Sequence, residues 1–158
     1  MPATTDAKTI AVGMLKGSYR LLSKDLEALP DEAYCQSFGP KCRTVADLIH
    51  ELNTVNEHIR LTIAGEELFD FPDGWIKAPA EFNTKEKVIA GFSESFDKFI
   101  ATAEGFTEEE MLAPFMDEGS ETNRFERCRF VALHNWYHSG QLNFIQTLRG
   151  DDVFHWAS

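Results

Sequence analysis

His134-Asn135-Trp136-Tyr137-His138-Ser139-Gly140-Gln141-Leu142 lies in a helix-like segment near the C-terminal end, and the rest of the chain is read outward from it. Histidines four residues apart share one helix face, with Cβ atoms roughly 5–6 Å apart. Both imidazoles can therefore reach one ion at a bond length of about 2 Å. Two helix-borne histidines make half a metal site, so a third ligand is expected from another helix facing this one. Gln141 falls seven residues after His134 on the same stripe, within reach of an ion, a water on it or a ligating imidazole. Gly140 removes side-chain bulk beside the stripe.

The spacing alone does not choose a chemistry. A zinc protease needs a glutamate directly after the first histidine as general base, and Asn135 stands there. A carboxylate-bridged di-iron bundle needs Glu-x-x-His on two helices; the nearest approach is Asp47-Leu48-Ile49-His50. Cys128 sits six residues before His134, rotated roughly 120° from the histidine stripe, and is a poor third ligand.

Four long helical segments surround this motif. The first runs from about Thr5 to Ala28, with Ile10, Met14, Leu21, Leu22 and Leu26 among its apolar positions and Pro30 at its end. An extended connection containing Gly39-Pro40 leads to Thr44, whose hydroxyl caps a second helix from about Val45 to Glu67; Leu48, Ile49, Leu52, Val55 and Ile59 form its apolar face. Leu68 to Phe82 carries Pro72, Asp73-Gly74 and Pro79, too many breakers for a helix. Its apolar residues, Phe69, Phe71, Trp75 and Ile76, are expected to cover one end of the core. Asn83-Thr84-Lys85-Glu86 resembles a capping box that opens a third helix, which carries Phe92, Phe96 and Phe99 and stops at Gly105. Thr107-Glu108-Glu109-Glu110 offers a second box for a short turn. After Pro114 and Gly119-Ser120 a final helix is expected from about Glu121 to Arg149, ended by Gly150. No convincing strand pattern, repeat or phosphate-binding glycine loop intervenes. The pattern predicts a single domain over residues 1–158, all-α, built as a four-helix bundle.

Composition narrows the partners. With 26 acidic against 15 basic residues the chain carries a formal net charge of −11, which opposes nucleic acid and anionic membranes alike. No run reaches the 18 or so apolar residues of a membrane span, and Met1-Pro2-Ala3-Thr4-Thr5-Asp6 lacks a basic, then apolar, leader. Cys35, Cys42 and Cys128 have neither disulfide nor zinc-ribbon spacing. A cytoplasmic location is the expectation. The aromatic tail Val153-Phe154-His155-Trp156 is expected to dock on its own bundle.

Helix two supplies two candidate third ligands, His50 and His58, separated by roughly 12 Å of helix rise, so one ion cannot use both. Thr44-Val45-Ala46-Asp47-Leu48-Ile49-His50-Glu51-Leu52 together with His134 through Leu142 resembles the DinB/YfiT-like metalloenzyme superfamily, over nearly the whole chain. The resemblance implies a DinB-type four-helix bundle whose metal ligands carry over to His50, His134 and His138, with open positions on one divalent ion, zinc or nickel. His58 has no place in that pattern, and Glu51, one residue from His50, is read as pointing aside. The resemblance further implies a thiol-dependent S-transferase using a low-molecular-weight thiol on a small electrophile, and a homodimer. A metal-dependent hydrolase and a non-catalytic metal- or small-molecule-binding bundle stand as alternatives, since the same open position admits water, thiol or ligand.

Overall fold

The computed structural model describes residues 6–157; Met1 to Thr5, including the expected start of the first helix, and Ser158 lie outside the described residues. Helix α1 spans Ala7–Ala28, α2 Val45–Ala64, α3 Lys85–Glu104, α4 Glu108–Leu112 and α5 Arg124–Leu148. Two single 3₁₀ turns, Asp31–Ala33 and His155–Ala157, follow α1 and α5. A two-stranded antiparallel hairpin, β1 Phe115–Asp117 and β2 Ser120–Thr122, precedes α5. The final helix therefore starts later than expected, because Glu121 and Thr122 are held in the hairpin and Asn123 caps the helix through Glu126 N. Glu118 and Gly119 both take positive φ, 49° and 79°, as a two-residue type I′ turn demands.

The caps follow from the sequence. Thr44 and Asp47 form a reciprocal capping box on α2, as do Thr107 and Glu110 on α4. At α3 the box is incomplete: Thr84 accepts from Lys87 N, but N3 is Lys87 rather than a carboxylate. Lys85 reaches back instead, donating to the Glu27 and Leu29 carbonyls at 2.8 and 2.7 Å, at the end of α1 where the helix offers carbonyls no amide of its own.

The four long helices form a closed ring, with α1 against α3 and α5, and α2 against the same two. Leu15, Leu22 and Leu26 of α1, Ile49, Leu52 and Ile63 of α2, Phe92, Phe96 and Phe99 of α3 and Val131 and Leu142 of α5 fill the interior. Tyr19 stacks on Phe96 with ring centroids 5.2 Å apart. Polar side chains enter the interior between α1 and α5: Asn135 Nδ2 donates to Ser18 Oγ at 2.9 Å, while Asn135 Oδ1 has no partner among the described residues, and Ser139 Oγ donates to Asp25 Oδ2. Asp25 also accepts from Asn143 Nδ2 at 3.1 Å and from Trp156 Nε1 at 2.8 Å. Trp156 thus docks the C-terminal tail on its own bundle.

The long loop fills its expected role only in part. Trp75 is 70% exposed, and Phe69 and Phe71 are also exposed, whereas Ile76 is buried and Ala78 and Phe82 pack against the core. Phe69 and Phe71 stack on each other and each stands nearly perpendicular to the His58 ring, with centroids 5.3 Å from the imidazole. No described helix is long and apolar enough to cross a membrane.

Candidate metal centre

Helix α5 carries His134 and His138 on the side facing α2, and their Nε2 atoms lie 2.9 Å apart. His138 Nδ1 lies 2.8 Å from Gln141 Oε1. That oxygen can only accept, so Nδ1 holds the proton and Nε2 turns its lone pair toward His134. Gln141 is itself steadied by donating to the Tyr137 hydroxyl at 3.2 Å. His134 stacks between Phe130 and Tyr137, with centroids 5.9 and 6.3 Å away. Its Nδ1 is buried without a hydrogen-bond partner among the described residues.

The third group is Glu51, whose Oε1 lies 3.9 Å from His134 Nε2. Ligand atoms of Glu51, His134 and His138 all fall within 4.8 Å of one another. The cluster differs from the expected three-histidine set: His50 is not in it, and its ring lies against Phe82 at 5.5 Å. The reason is the helical advance of about 100° per residue. With Leu48, Leu52 and Val55 turned inward, the rotation that brings Glu51 toward α5 carries His50 toward the loop before α3. Sequence reasoning missed Glu51 by treating it only as the neighbour of His50. A signal was present, since Glu51 lies three residues after Leu48 and four before Val55, an acid set into the core-facing stripe.

Electrostatics prepare these groups to bind a cation. Burial pushes the His134 pKa down to about 4, with the positive charge of Arg43 adding to the effect. His138 is pushed down to about 3, first by burial and then by His134, while its bond to Gln141 opposes the shift. Both rings are neutral at pH 7, the form that ligates. Arg43 forms an ion pair with Glu51 Oε2, leaving Oε1 on the histidine side, and the Trp75 ring covers the guanidinium at 4.2 Å. Asp47, besides capping α2, accepts from Ala78 N at 2.8 Å and so ties the Trp75 loop to the start of that helix.

The donor set fits a divalent ion. Two Nε2 atoms on a tetrahedral centre with bonds of about 2.0–2.1 Å stand roughly 3.3 Å apart, so a separation of 2.9 Å needs only a small opening. Two imidazoles and one carboxylate match the donor types of catalytic zinc sites and leave further positions for exogenous ligands. Cys128 is excluded by burial elsewhere in the core, which pushes its thiol up to about 12. Cys42 is exposed, Ser139 is spent on Asp25, and His58 lies in its aromatic clasp.

The family model of the DinB superfamily matches residues 14–142, an interval that contains Glu51, His134 and His138. The chain belongs to the DinB superfamily. Its fold is similar to the crystal structure of a DinB-like protein from Bacillus cereus ATCC 10987, with a TM-score of 0.64 at 17% identity, covering 90% of this chain and 96% of that one. At that identity the likeness concerns the fold of this DinB-superfamily chain. Comparison with curated proteins finds no match.

Proposed function

We propose that this DinB-superfamily protein is a metal-dependent enzyme that holds one divalent cation, zinc or nickel, through Glu51, His134 and His138. The observation that carries the reading is the convergence of a carboxylate and two neutral imidazoles within 4.8 Å at a buried junction of two helices. We further propose a thiol-dependent transfer to a small electrophile as its reaction. The ion would supply Lewis acidity, favouring the thiolate of a low-molecular-weight thiol that reaches it.

The chain's own residues have distinct parts in this scheme. Gln141 keeps the proton on His138 Nδ1, so that Nε2 stays a donor to the ion. Arg43 holds one oxygen of Glu51 and fixes the direction of the other. The guanidinium also places positive charge beside the centre, where an anionic thiolate or leaving group would gather. Trp75 shields Arg43 from water on one face. We carry forward a homodimer as part of this proposal, supported by the exposed Phe130, Leu133 and Trp136 on α5.

The test is metal analysis of protein purified without an affinity tag or chelator, followed by single-turnover assays with a thiol and an alkylating electrophile. About one equivalent of zinc or nickel and metal-dependent thioether formation are expected. Bound metal without turnover would favour a binding module, and turnover of an ester with no need for thiol would favour a hydrolase. Absence of metal affinity would remove the proposal's foundation.

A further inference from the structure

Beside the metal centre lies a cavity of about 440 Å³ between the segment before α2 and the C-terminal half of α5, a size suited to a small molecule. Its walls are mainly apolar, from Phe38, Leu48, Phe144, Ile145 and Leu148. Polar atoms come from Arg43, Tyr137, Gln141 and the Cys42 thiol. Two of these are the residues that touch the metal-capable group: Arg43 pairs with Glu51 and Gln141 bonds to His138. The cavity thus has a polar end that abuts the centre and an apolar body that leads away from it.

Charge makes the cavity unusual for this chain. Acidic residues outnumber basic ones, 26 to 15, yet the lining contains an arginine and no Asp or Glu. Arg43 engages Glu51 through Nη1 and Trp75 through its ring face. A guanidinium carries five N–H donors, so those contacts leave donors for a second anion. A cationic ligand would meet Arg43 without a compensating acid in the wall. A neutral apolar ligand would fill the body but leave those donors unpaired.

We infer that the cavity binds a small carboxylic acid with an apolar tail, its carboxylate against Arg43 and its tail between Phe38 and Phe144. The inference rests on the metal-site reading only for what the headgroup adjoins, and it names the class of molecule the cavity holds beside that centre. Gly140 supplies the decisive handle: a Cβ built there meets no atom within 4 Å, so a larger side chain can occupy the cavity without displacing the helix. A leucine at that position also suits a helix better than glycine.

Calorimetric titration of the full chain with octanoate, octan-1-ol and octylamine, once with one equivalent of zinc and once with chelator, tests this. Octanoate should bind about tenfold more tightly than octan-1-ol, the value of one charge-assisted hydrogen bond, and octylamine more weakly than either. Gly140→Leu should weaken octanoate at least about tenfold while zinc affinity holds and the melting temperature does not fall. Arg43→Gln should erase the preference for octanoate over the alcohol. Equal affinity for acid and alcohol in the parent protein, or octanoate binding untouched by Gly140→Leu, would overturn the inference. Zinc binding with no acid preference refutes the cavity assignment alone. An Arg43-dependent acid preference with no zinc affinity upholds it and refutes the metal reading.

Discussion

Trp156→Phe isolates one hydrogen bond of the C-terminal tail. The substitution keeps an aromatic ring beside Phe154 and removes the indole N–H that donates to Asp25 Oδ1 at 2.8 Å. A hydrogen bond to a charged group is worth about 1.5–3 kcal/mol, and because this contact is only partly buried the lower end applies, about 1.5 kcal/mol. For a chain of this length that corresponds to a fall in melting temperature of roughly 3–6 °C. The effect should depend on pH with a definite sign. Burial raises the Asp25 pKa above its ordinary value, against the opposing bonds from Ser139, Trp156 and Asn143. The ionised carboxylate is therefore a net cost to the fold, absent below the unfolded pKa of about 3.9, growing as pH rises above it and complete once the folded-state carboxyl has ionised. Losing one donor raises the folded pKa further, so the variant's deficit should be larger at pH 7 than at pH 3.5. Urea unfolding followed by far-ultraviolet circular dichroism at both pH values measures it. A deficit of equal size at pH 3.5 and pH 7, or none at pH 7, would refute the account of the tail as docked through an ionised Asp25.

Other consequences follow from the same geometry. Gln141→Leu should lower zinc affinity about 10–100-fold by releasing His138 Nδ1, measured by competition with a chromophoric chelator, whereas unchanged affinity would show that the bond orients nothing. Cys35 and Cys42 are exposed and Cys128 is buried, so a thiol-reactive disulfide should titrate two sulfhydryls in the native protein and the third only after denaturation; three fast thiols would contradict the packing of α5. Chelator-treated protein should stay helical and melt cooperatively, with zinc raising the melting temperature by mass action. Loss of the helical signal on chelation would make the metal structural.

The bundle was legible because its determinants are local and repeated. Apolar residues recur at helical spacing, and Thr44, Thr84 and Thr107 cap helices where their hydroxyls meet the chain's amide groups. The hairpin at Phe115–Thr122 was hidden because three-residue strands carry too little alternation, leaving Gly119 as the main visible mark. The Trp75 loop was misread in part since aromatic content suggests burial, whereas here Trp75 is committed to a cation and Phe69 and Phe71 to a histidine. The histidine pair on α5 was readable from its spacing within one helix. Its partner was not, because the rotation of α2 against α5 is set by packing across the bundle, and an error of one residue exchanges Glu51 for His50.

That exchange is also the most direct point of attack on the account. Calorimetric titration of zinc into tag-free protein and its single variants should show Glu51→Ala, His134→Ala and His138→Ala each weakening binding by at least about tenfold, as loss of a ligand requires, with His50→Ala and His58→Ala close to the parent. Zinc binding that survives Glu51→Ala and vanishes in His50→Ala would contradict the assignment of the centre to Glu51, His134 and His138.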